Sequence, residues 1–293
     1  MGWPMSSPAK HLSEQTARLA AAGVPEARLK AELALARVLG IPRLEIGLRG
    51  PPVLSQPQSD TFLELIERLL RHEPWQHIAG ETDFLGHVIR CSPAALIPRP
   101  ETEQLALMAS ECLAARGPGA VAADIGTGTG CIAIHLALAN PQARVLAVDI
   151  SPAALELARD NARRLGAAVE FFEGDLTAPL RPPVHVLVSN PPYIGEEERD
   201  RLEPQVGLRE PALALFGGRL GHELPVRLLA EARGILAPGG NILLEIGASQ
   251  GMLMVHHMQE LGYEHAHIVN DFRGLPRIAT AIWNGPTRHH PTA

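Results

Sequence analysis

Apolar residues recur at three- and four-residue spacing in the first part of the chain, which places them on one face of a helix. The clearest run consists of Phe62, Leu65, Ile66, Leu69 and Leu70. With prolines near predicted helix starts and Gly40 after a predicted end, the spacing predicts helices over 7–22, 25–39 and 60–72. We therefore expect a small all-helical domain over residues 1–80.

The pattern becomes irregular after this region. Residues 84–97 are rich in β-forming side chains, and Gly86 and Pro93 interrupt them, which predicts a hairpin. We expect residues 81–98 to form a β-hairpin linker between two domains.

Short β-branched runs then alternate with helical stretches. The predicted strands are 121–125, 144–150, 169–173, 184–189, 241–246, 267–270 and 277–283. The predicted helices between them are 131–139, 152–165, 226–236 and 251–261. This alternation favours right-handed crossovers and an α/β domain with a seven-stranded, mostly parallel sheet over residues 99–285. Residues 286–293 are polar and contain proline, which predicts a flexible tail.

Composition narrows the class of protein. Of 293 residues, 46% are hydrophobic and 20% are charged, which is ordinary for a packed globular chain. The net charge of −6 argues against sequence-independent binding to nucleic acid, and we expect no direct sequence-specific nucleic-acid binding either. Three cysteines do not indicate a disulfide framework, and no apolar run has the length of a signal peptide or membrane span. We therefore expect a cytoplasmic protein with no membrane contact.

A glycine-rich turn follows the first strand of the α/β region. Residues 124–130 read D-I-G-T-G-T-G, and such glycines let backbone N–H groups approach a ligand at a helix start. The spacing differs from the dinucleotide pattern, because Cys131 occupies the place of the third glycine. Asp149 ends the next strand, where a carboxylate can accept two hydrogen bonds from a ribose diol. Either feature alone fits an ordinary turn and a surface Asp, but their order and spacing predict an adenosine-type ligand.

Residues 190–193, which read N-P-P-Y, follow the fourth strand. An amide nitrogen is a poor nucleophile until two acceptors hold its hydrogens and aim its lone pair. The Asn190 side-chain oxygen and the Pro191 carbonyl can be those acceptors, since the stiff step to Pro192 fixes their direction. Tyr193 offers a flat face for a planar NH2-bearing group. In isolation the four residues also fit a simple turn. Their position after a strand, at the edge of the sheet where a ligand is predicted, favours a site for a planar amide or amine.

The D-I-G-T-G-T-G stretch, Asp149, Asp175 and N-P-P-Y together resemble Rossmann-like class I methyltransferases that use S-adenosylmethionine on planar amino nitrogens. Five further blocks narrow the resemblance: E-P-W-Q-H-I-A-G at 73–80, L-I-P-R-P-E-T-E at 96–103, E-P-A-L-A-L-F-G-G at 210–218, L-A-P-G-G at 236–240 and L-E-I-G at 244–247. With the helical first domain, residues from about 10 to 285 resemble the peptide chain release factor glutamine methyltransferases.

The resemblance implies methyl transfer to the side-chain amide nitrogen of the Gln in the Gly-Gly-Gln motif of peptide chain release factors. S-adenosylmethionine would be the cofactor, S-adenosylhomocysteine its product, and the release factor the protein partner, held in part by the helical domain. The positions that would hold the methionine end of the cofactor are Asp124, Gly126, Thr127, Gly128, Thr129 and Gly130.

The resemblance also assigns the rest of the site. Asp149 would hold the ribose, and Asp175 and Leu176 would flank the adenine. Asn190 would also bind the cofactor, and it would act with Pro191 and Tyr193 as the catalytic set. These residues with Pro192 would bind the glutamine. The residues from Arg99 to Glu103 would line the pocket from the interdomain side.

Two departures from the family pattern concern substrate docking. Arg219-Leu220-Gly221-His222 stands where an Asp-Gly-Leu step is usual, and Lys30 stands where an Asp is common.

No metal site is expected. His72, Glu73, His77 and Glu81 could suggest one, but Pro74 interrupts their spacing, which favours a polar seam between domains. His185 alternates with valines along a strand and is interpreted as packed. The acidic segment 196–200 is interpreted as either a solvated face or part of a mobile substrate loop.

Three alternative functions stay open. A methyltransferase for adenine or cytosine amino groups would use the same local chemistry, but the acidic charge balance counts against it. A ribosomal-protein glutamine methyltransferase is closer in sequence, and only the 99–103 and 216–218 blocks tilt the choice. A nucleoside-binding factor without turnover is disfavoured by Asn190 and Tyr193.

Overall fold

A computed structural model describes residues 8–49 and 53–286, so that all of the predicted tail except Pro286 lies outside the described residues. The chain divides after Ala79 into two compact units. Within the described residues, no helix is long and apolar enough to cross a membrane.

The first unit is helical throughout its described residues. Its helices are α1 (Pro8–Ala21), α2 (Ala27–Leu39), α3 (Arg43–Arg49), α4 (Gln56–Leu70) and α5 (Trp75–Ala79). The periodic residues of α4 do face inward, since Phe62, Ile66 and Leu69 are buried. Helix α4 begins four residues earlier than predicted, because Gln58 accepts a hydrogen bond from the backbone N–H of Ser55 and closes a capping box.

The second unit opens with an antiparallel hairpin of β1 (Glu81–Phe84) and β2 (His87–Arg90). Leu85 and Gly86 form its turn with φ of 51° and 79°. The hairpin therefore covers residues 81–90, whereas the sequence pattern predicted β-structure over 84–97 within a linker of 81–98. The residues beyond it, through Pro98, are irregular because Pro93 lacks the N–H that a strand pairing needs.

The second unit is built around a seven-stranded sheet within the described residues, as predicted. Its strands are β3 (Val121–Ile125), β4 (Arg144–Asp149), β5 (Val169–Glu173), β6 (Val184–Ser189), β7 (Leu236–Glu245), β8 (Glu264–Asn270) and β9 (Pro276–Trp283). The strand order is β5-β4-β3-β6-β7-β9-β8, and only β9 runs antiparallel to its two neighbours. The sheet is therefore mostly parallel. From β3, the strands β4 and β5 are added on one side and β6 and β7 on the other, so the strand order reverses between β3 and β6.

Helices cover both faces of this sheet. They are α6 (Pro100–Arg116), α7 (Cys131–Ala139), α8 (Pro152–Leu165), α10 (Glu223–Ala232) and α11 (Gly251–Glu260), while the short helix α9 (Pro204–Gly207) belongs to the segment between β6 and α10. Neighbouring strand residues enter different cores: Ala122 packs in one apolar cluster and Ala123 in the other. The pattern did not predict α6, whose buried face is rich in alanine and gives little contrast between its sides.

The loops after β3, β4, β5, β6 and β7 emerge at the carboxyl edge of the parallel strands, which is where open α/β sheets bind ligands. The segment 196–200 forms a short 3-10 helix with exposed side chains, which fits the solvated interpretation. His185 lies at the opposite edge, where its Nδ1 accepts a hydrogen bond from the Val121 N–H at 3.0 Å.

Candidate active site

A cavity of about 560 Å³ lies at the carboxyl edge of the sheet, wholly within the second unit. Its lining comes from residues 94–98, 125–129, 148–151, 174–176 and 189–192, with Thr102 and further residues between 211 and 227. This volume is in the range of pockets that enclose small ligands and cofactors.

The fully buried side chain of Asp124 holds the glycine turn through hydrogen bonds. Its Oδ2 accepts hydrogen bonds from the Thr127 hydroxyl at 2.7 Å and the Ala133 N–H at 3.2 Å. Burial raises the pKa of Asp124 to about 7. Gly126 and Gly128 have φ of 70° and 55°, a left-handed backbone that favours glycine. Asp124 therefore shapes the turn without lining the cavity, whereas residues 126–129 line it.

Gly130 has a packing role instead of a place on the lining. A Cβ there would lie 3.1 Å from the Ala158 Cβ, so glycine lets α7 approach α8 closely. Nearby, buried Asn161 accepts a hydrogen bond from the Arg90 N–H at 2.8 Å and donates to the Thr129 carbonyl at 3.0 Å. One side chain of α8 therefore joins the hairpin to the glycine turn.

Asp149 lines the cavity beside the turn. One carboxylate oxygen accepts the Gly128 N–H at 2.8 Å, and the other accepts the Ser151 N–H at 2.9 Å. Each oxygen keeps a second lone pair, which is the capacity that a ribose diol needs. Burial raises the pKa of Asp149 from its ordinary value, while these N–H donors oppose the rise.

Asp175 and Leu176, which follow β5, also line the cavity. Asp175 is exposed and forms an ion pair with Arg227, and Leu176 has a φ of 47°. Cys131 lines the cavity as well, and burial raises the pKa of its thiol to about 12. That thiol stays protonated at neutral pH, so it does not compete as a nucleophile.

Asn190, Pro191 and Pro192 line the cavity next to the glycine turn, because Ser189 at the end of β6 pairs with Ile125 at the end of β3. The Asn190 Nδ2 donates to the Thr102 hydroxyl at 3.1 Å, and that hydroxyl donates to the Glu245 Oε2 at 2.7 Å. Asn190 Oδ1 accepts no hydrogen bond within the described part of the chain. The amide oxygen is therefore available to a ligand.

Tyr193 lies behind the lining, not on it. Its hydroxyl donates to the Glu245 Oε1 at 3.4 Å, and its backbone carbonyl accepts the Gln250 Nε2 at 2.9 Å. Burial raises the pKa of Tyr193 to about 12, and the Glu245 charge contributes.

A second segment packs directly on the N-P-P-Y backbone. The Gly217 N–H donates to the Ile194 carbonyl at 3.0 Å, and a Cβ on Gly217 would lie 2.1 Å from the Pro192 carbonyl oxygen. A Cβ on Gly221 would lie 2.3 Å from the Tyr193 carbonyl oxygen. The departure at 219–222 thus includes a glycine that this contact requires. The other departure, Lys30, is a buried residue of the first unit.

Arg99 and Glu103 do not belong to the lining, contrary to the sequence-based expectation. Arg99 pairs with Glu210, a buried carboxylate that also accepts the Ile97 N–H at 3.2 Å. Glu103 accepts the Leu85 N–H of the hairpin turn at 3.2 Å. Because both side chains bond to neighbouring segments, they support the cavity walls, and Thr102 between them is the residue that reaches the cavity.

Sequence reasoning assigned no role to Asn161, Glu210 or Glu245, and it included Thr102 only as a member of the 99–103 stretch. Glu245 carried one available signal, because it is a charged residue that ends the apolar run N-I-L-L-E. Within residues 8–49 and 53–286, no group of three His, Cys, Asp or Glu side chains is placed to hold a metal ion.

Comparison with known proteins agrees with this architecture. Family models match residues 11–80 (PrmC N-terminal domain) and 106–204 (Methyltransferase small domain). The chain is 39% identical to the release factor glutamine methyltransferase of Deinococcus radiodurans, over 92% of this chain and 96% of that protein. It is 41% identical to the protein of the same name from Koribacter versatilis, over 89% and 92% of the two chains.

A solved methyltransferase from Pyrococcus furiosus has the same fold, with a TM-score of 0.54 and 23% identity over 75% of this chain and 99% of that one. At this identity the structural likeness concerns the fold alone. The identity to full-length relatives is higher and covers both units. The chain belongs to the release factor glutamine methyltransferase family.

Proposed function

We propose that this protein transfers a methyl group from S-adenosylmethionine to the side-chain amide nitrogen of the Gln in the Gly-Gly-Gln motif of peptide chain release factors. The observation that carries the proposal is the free Oδ1 of Asn190, which lines the same cavity as the glycine turn and Asp149. A release factor substrate places the proposed activity in the cytoplasm.

The residues of the cavity fit the cofactor. Residues 126–129 would hold its methionine end, Asp149 would accept hydrogen bonds from the ribose hydroxyls, and Asp175 and Leu176 would flank the adenine. When bound, the cofactor supplies an electrophilic methyl group on a sulfonium. Asp124 and Gly130 contribute by shaping the turn, as their contacts indicate.

Asn190 Oδ1 and the Pro191 carbonyl would each accept one hydrogen of the glutamine NH2. Holding both hydrogens aims the nitrogen lone pair at the methyl carbon, and such orientation can lower a barrier by about 7–11 kcal/mol. As positive charge grows on the nitrogen, its N–H groups become better donors and both hydrogen bonds strengthen. The methylated nitrogen is acidic enough to lose its proton to water, so the proposal includes no general base.

Two parts of the proposal reach beyond the cavity lining. Stacking of the glutamine amide on Tyr193 stays a prediction, since that ring lies behind Pro192 and its hydroxyl bonds to Glu245. The helical first unit is proposed to help hold the release factor.

One labelling experiment tests the function. The purified protein is given methyl-labelled S-adenosylmethionine with full-length release factor, total ribosomal protein or DNA, and mass spectrometry locates the label. We expect a single methyl on the Gln of Gly-Gly-Gln. A release factor carrying Ala in place of that Gln serves as the matched control and should take up none. Label on ribosomal protein or DNA, with none on the release factor, would refute the proposal in favour of the corresponding alternative.

A further inference from the structure

A buried carboxylate joins the two ends of the N-P-P-Y segment. Glu245 is the last residue of β7, and β7 pairs with β6, so Glu245 lies next to the segment that follows Ser189. Its side chain bonds to Thr102, which bonds to Asn190, and separately to the Tyr193 hydroxyl. Glu245 itself is 1% exposed and does not line the cavity.

This arrangement decides which end of the Asn190 amide faces the cavity. A side-chain amide has an oxygen end and an NH2 end of nearly the same shape, so its orientation follows from its hydrogen-bond partners. The Thr102 hydroxyl has one proton, and an ionised Glu245 can only accept it. The Thr102 oxygen must then accept from the Asn190 NH2, which leaves Oδ1 on the cavity side.

We propose that Glu245 is a positioning residue for methyl transfer. Through Thr102 it keeps the Asn190 oxygen toward the substrate amide, and directly it fixes the Tyr193 hydroxyl. This inference rests on the proposed function, because it explains how the acceptor of that reaction is oriented.

Protonation of Glu245 would reverse the order of donors. A protonated carboxyl can donate to Thr102, whose own proton would then go to the Asn190 oxygen. The amide would turn its NH2 toward the cavity and meet the NH2 of the glutamine, so that two donors would face each other. The proposed acceptor is therefore present only when Glu245 is ionised.

Burial of Glu245, partly opposed by its hydrogen-bond and charged partners, puts this change near neutral pH. Burial raises the pKa of Glu245 to about 7, Arg277 of β9 favours the ionised form, and Glu101 of α6 disfavours it. Arg277 is itself paired with Asp271. Tyr193, the remaining titratable neighbour, stays protonated over this range because burial raises the pKa of its hydroxyl to about 12. We expect the turnover rate to fall as the pH drops below about 7.

The first test compares two matched pairs of variants: T102V with T102S, and E245L with E245Q. T102V removes the hydroxyl and T102S keeps it, so we expect kcat for the release factor to fall about tenfold or more in T102V and to stay within about threefold in T102S. E245L should behave like T102V. The dissociation constant of S-adenosylmethionine should stay within about twofold of wild type in all four.

The pH profile separates positioning from a structural role. E245Q has no carboxyl proton at this position, so we expect its kcat profile between about pH 5.5 and 9 to lose the change near neutral pH. Equal kcat in T102V and T102S, or a wild-type profile in E245Q, would overturn the proposal.

A second measurement does not require any methyl acceptor. The chain has six asparagines, so ¹⁵N-asparagine labelling gives few side-chain amide signals, and the signal missing in N190A assigns Asn190. We expect this signal to titrate near neutral pH in wild type and to stay unchanged in E245Q. Titration in both proteins, or in neither, would contradict the proposal. If wild type methylates no release factor, the proposed function fails while this measurement still decides the role of Glu245.

Discussion

Two buried carboxylates support different parts of the cavity lining, Asp124 the glycine turn and Glu245 the N-P-P-Y segment. They differ in how many residues separate them from their hydrogen-bond partners along the chain. Asp124 near the end of β3 bonds to Thr127 and Ala133, three and nine residues away. Glu245 at the end of β7 bonds to Thr102 and Tyr193, 143 and 52 residues away. The hydrogen bonds of Asp124 are thus local, whereas those of Glu245 form only when distant segments have assembled.

The two carboxylates share one electrostatic property. Burial raises the pKa of each to about 7, so both are partly protonated near neutral pH. The two carboxylates are tested by different measurements, Glu245 by turnover and Asp124 by the pH dependence of stability.

Removing the acceptor should give the largest effect. In Asn190→Ala the oxygen aimed at the developing charge is lost, so we expect kcat to fall by about a hundredfold or more. The dissociation constant of S-adenosylmethionine, measured by calorimetry, should change little. Asn284→Ala is the control, because Asn284 is an exposed residue that bonds to Glu264. Unchanged turnover in Asn190→Ala would remove its catalytic role.

Asp149→Ala should weaken binding of the proposed cofactor. It removes a charged acceptor for the ribose diol, and hydrogen bonds to charged groups contribute about 1.5–3 kcal/mol, so we expect the cofactor to bind roughly thirtyfold more weakly. Titration calorimetry with S-adenosylhomocysteine measures this. Asp200→Ala, at an exposed position of the 3-10 helix, should bind as wild type does. A wild-type dissociation constant in Asp149→Ala would refute the ribose assignment.

Gly217→Ala tests what places the N-P-P-Y segment, and it removes no polar side chain. The added Cβ would meet the Pro192 carbonyl oxygen at 2.1 Å, so the N-P-P-Y backbone must shift. We expect a free energy of unfolding lower by about 1–3 kcal/mol and a kcat lower by about tenfold. Gly234→Ala is the control, since the nearest atom to its added Cβ would be the Glu231 carbonyl oxygen at 3.3 Å. Equal stability and turnover in both variants would show that this contact does not place the segment.

Asp124→Asn should change the pH dependence of stability. The folded protein holds the Asp124 proton up to about pH 7, whereas an unfolded chain releases it near about pH 4. The folded state binds more protons in this window, so the Asp124 contribution to stability decreases as the pH rises through it.

Urea unfolding of wild type and Asp124→Asn at several values between about pH 5 and 8 measures that contribution. We expect the stability of wild type relative to the variant to decrease toward high pH. Asp271→Asn is the control, because N–H donors lower the pKa of Asp271 and keep it ionised throughout this range. Parallel curves for wild type and Asp124→Asn would contradict the raised pKa.

Local patterns predicted most of the sheet. Residues 121–125, 169–173 and 184–189 form strands with the predicted bounds, because β-branched runs there are bounded by turn residues. Strand β7 instead begins at Leu236, five residues early, because Pro238 and the glycines after it lie in an irregular pairing with β6 that a strand pattern does not reveal. Helix α6 was missed, although Pro100 and two glutamates in its first turn are helix-start signals.

The same division holds for the site. The glycine turn and Asp149 are close in sequence and could be predicted from spacing, and the structure places both at one cavity. The Thr102, Glu210 and Glu245 contacts could not, because they depend on β6 lying beside β7 and on where α6 begins. The 99–103 stretch was assigned to the lining from a motif, and within it Thr102 lines the cavity whereas Arg99 and Glu103 do not.

Asn161 connects hairpin and glycine turn through a single buried amide. Any ligand that orders the turn also restrains the Thr129 carbonyl, and through Asn161 it restrains the strand that contains Arg90. Because such coupling is reciprocal, loosening the hairpin weakens ligand binding by the same free energy with which the ligand stabilises the hairpin. Hydrogen exchange at the Arg90 amide would therefore report on occupancy of the cavity from a strand that does not touch it.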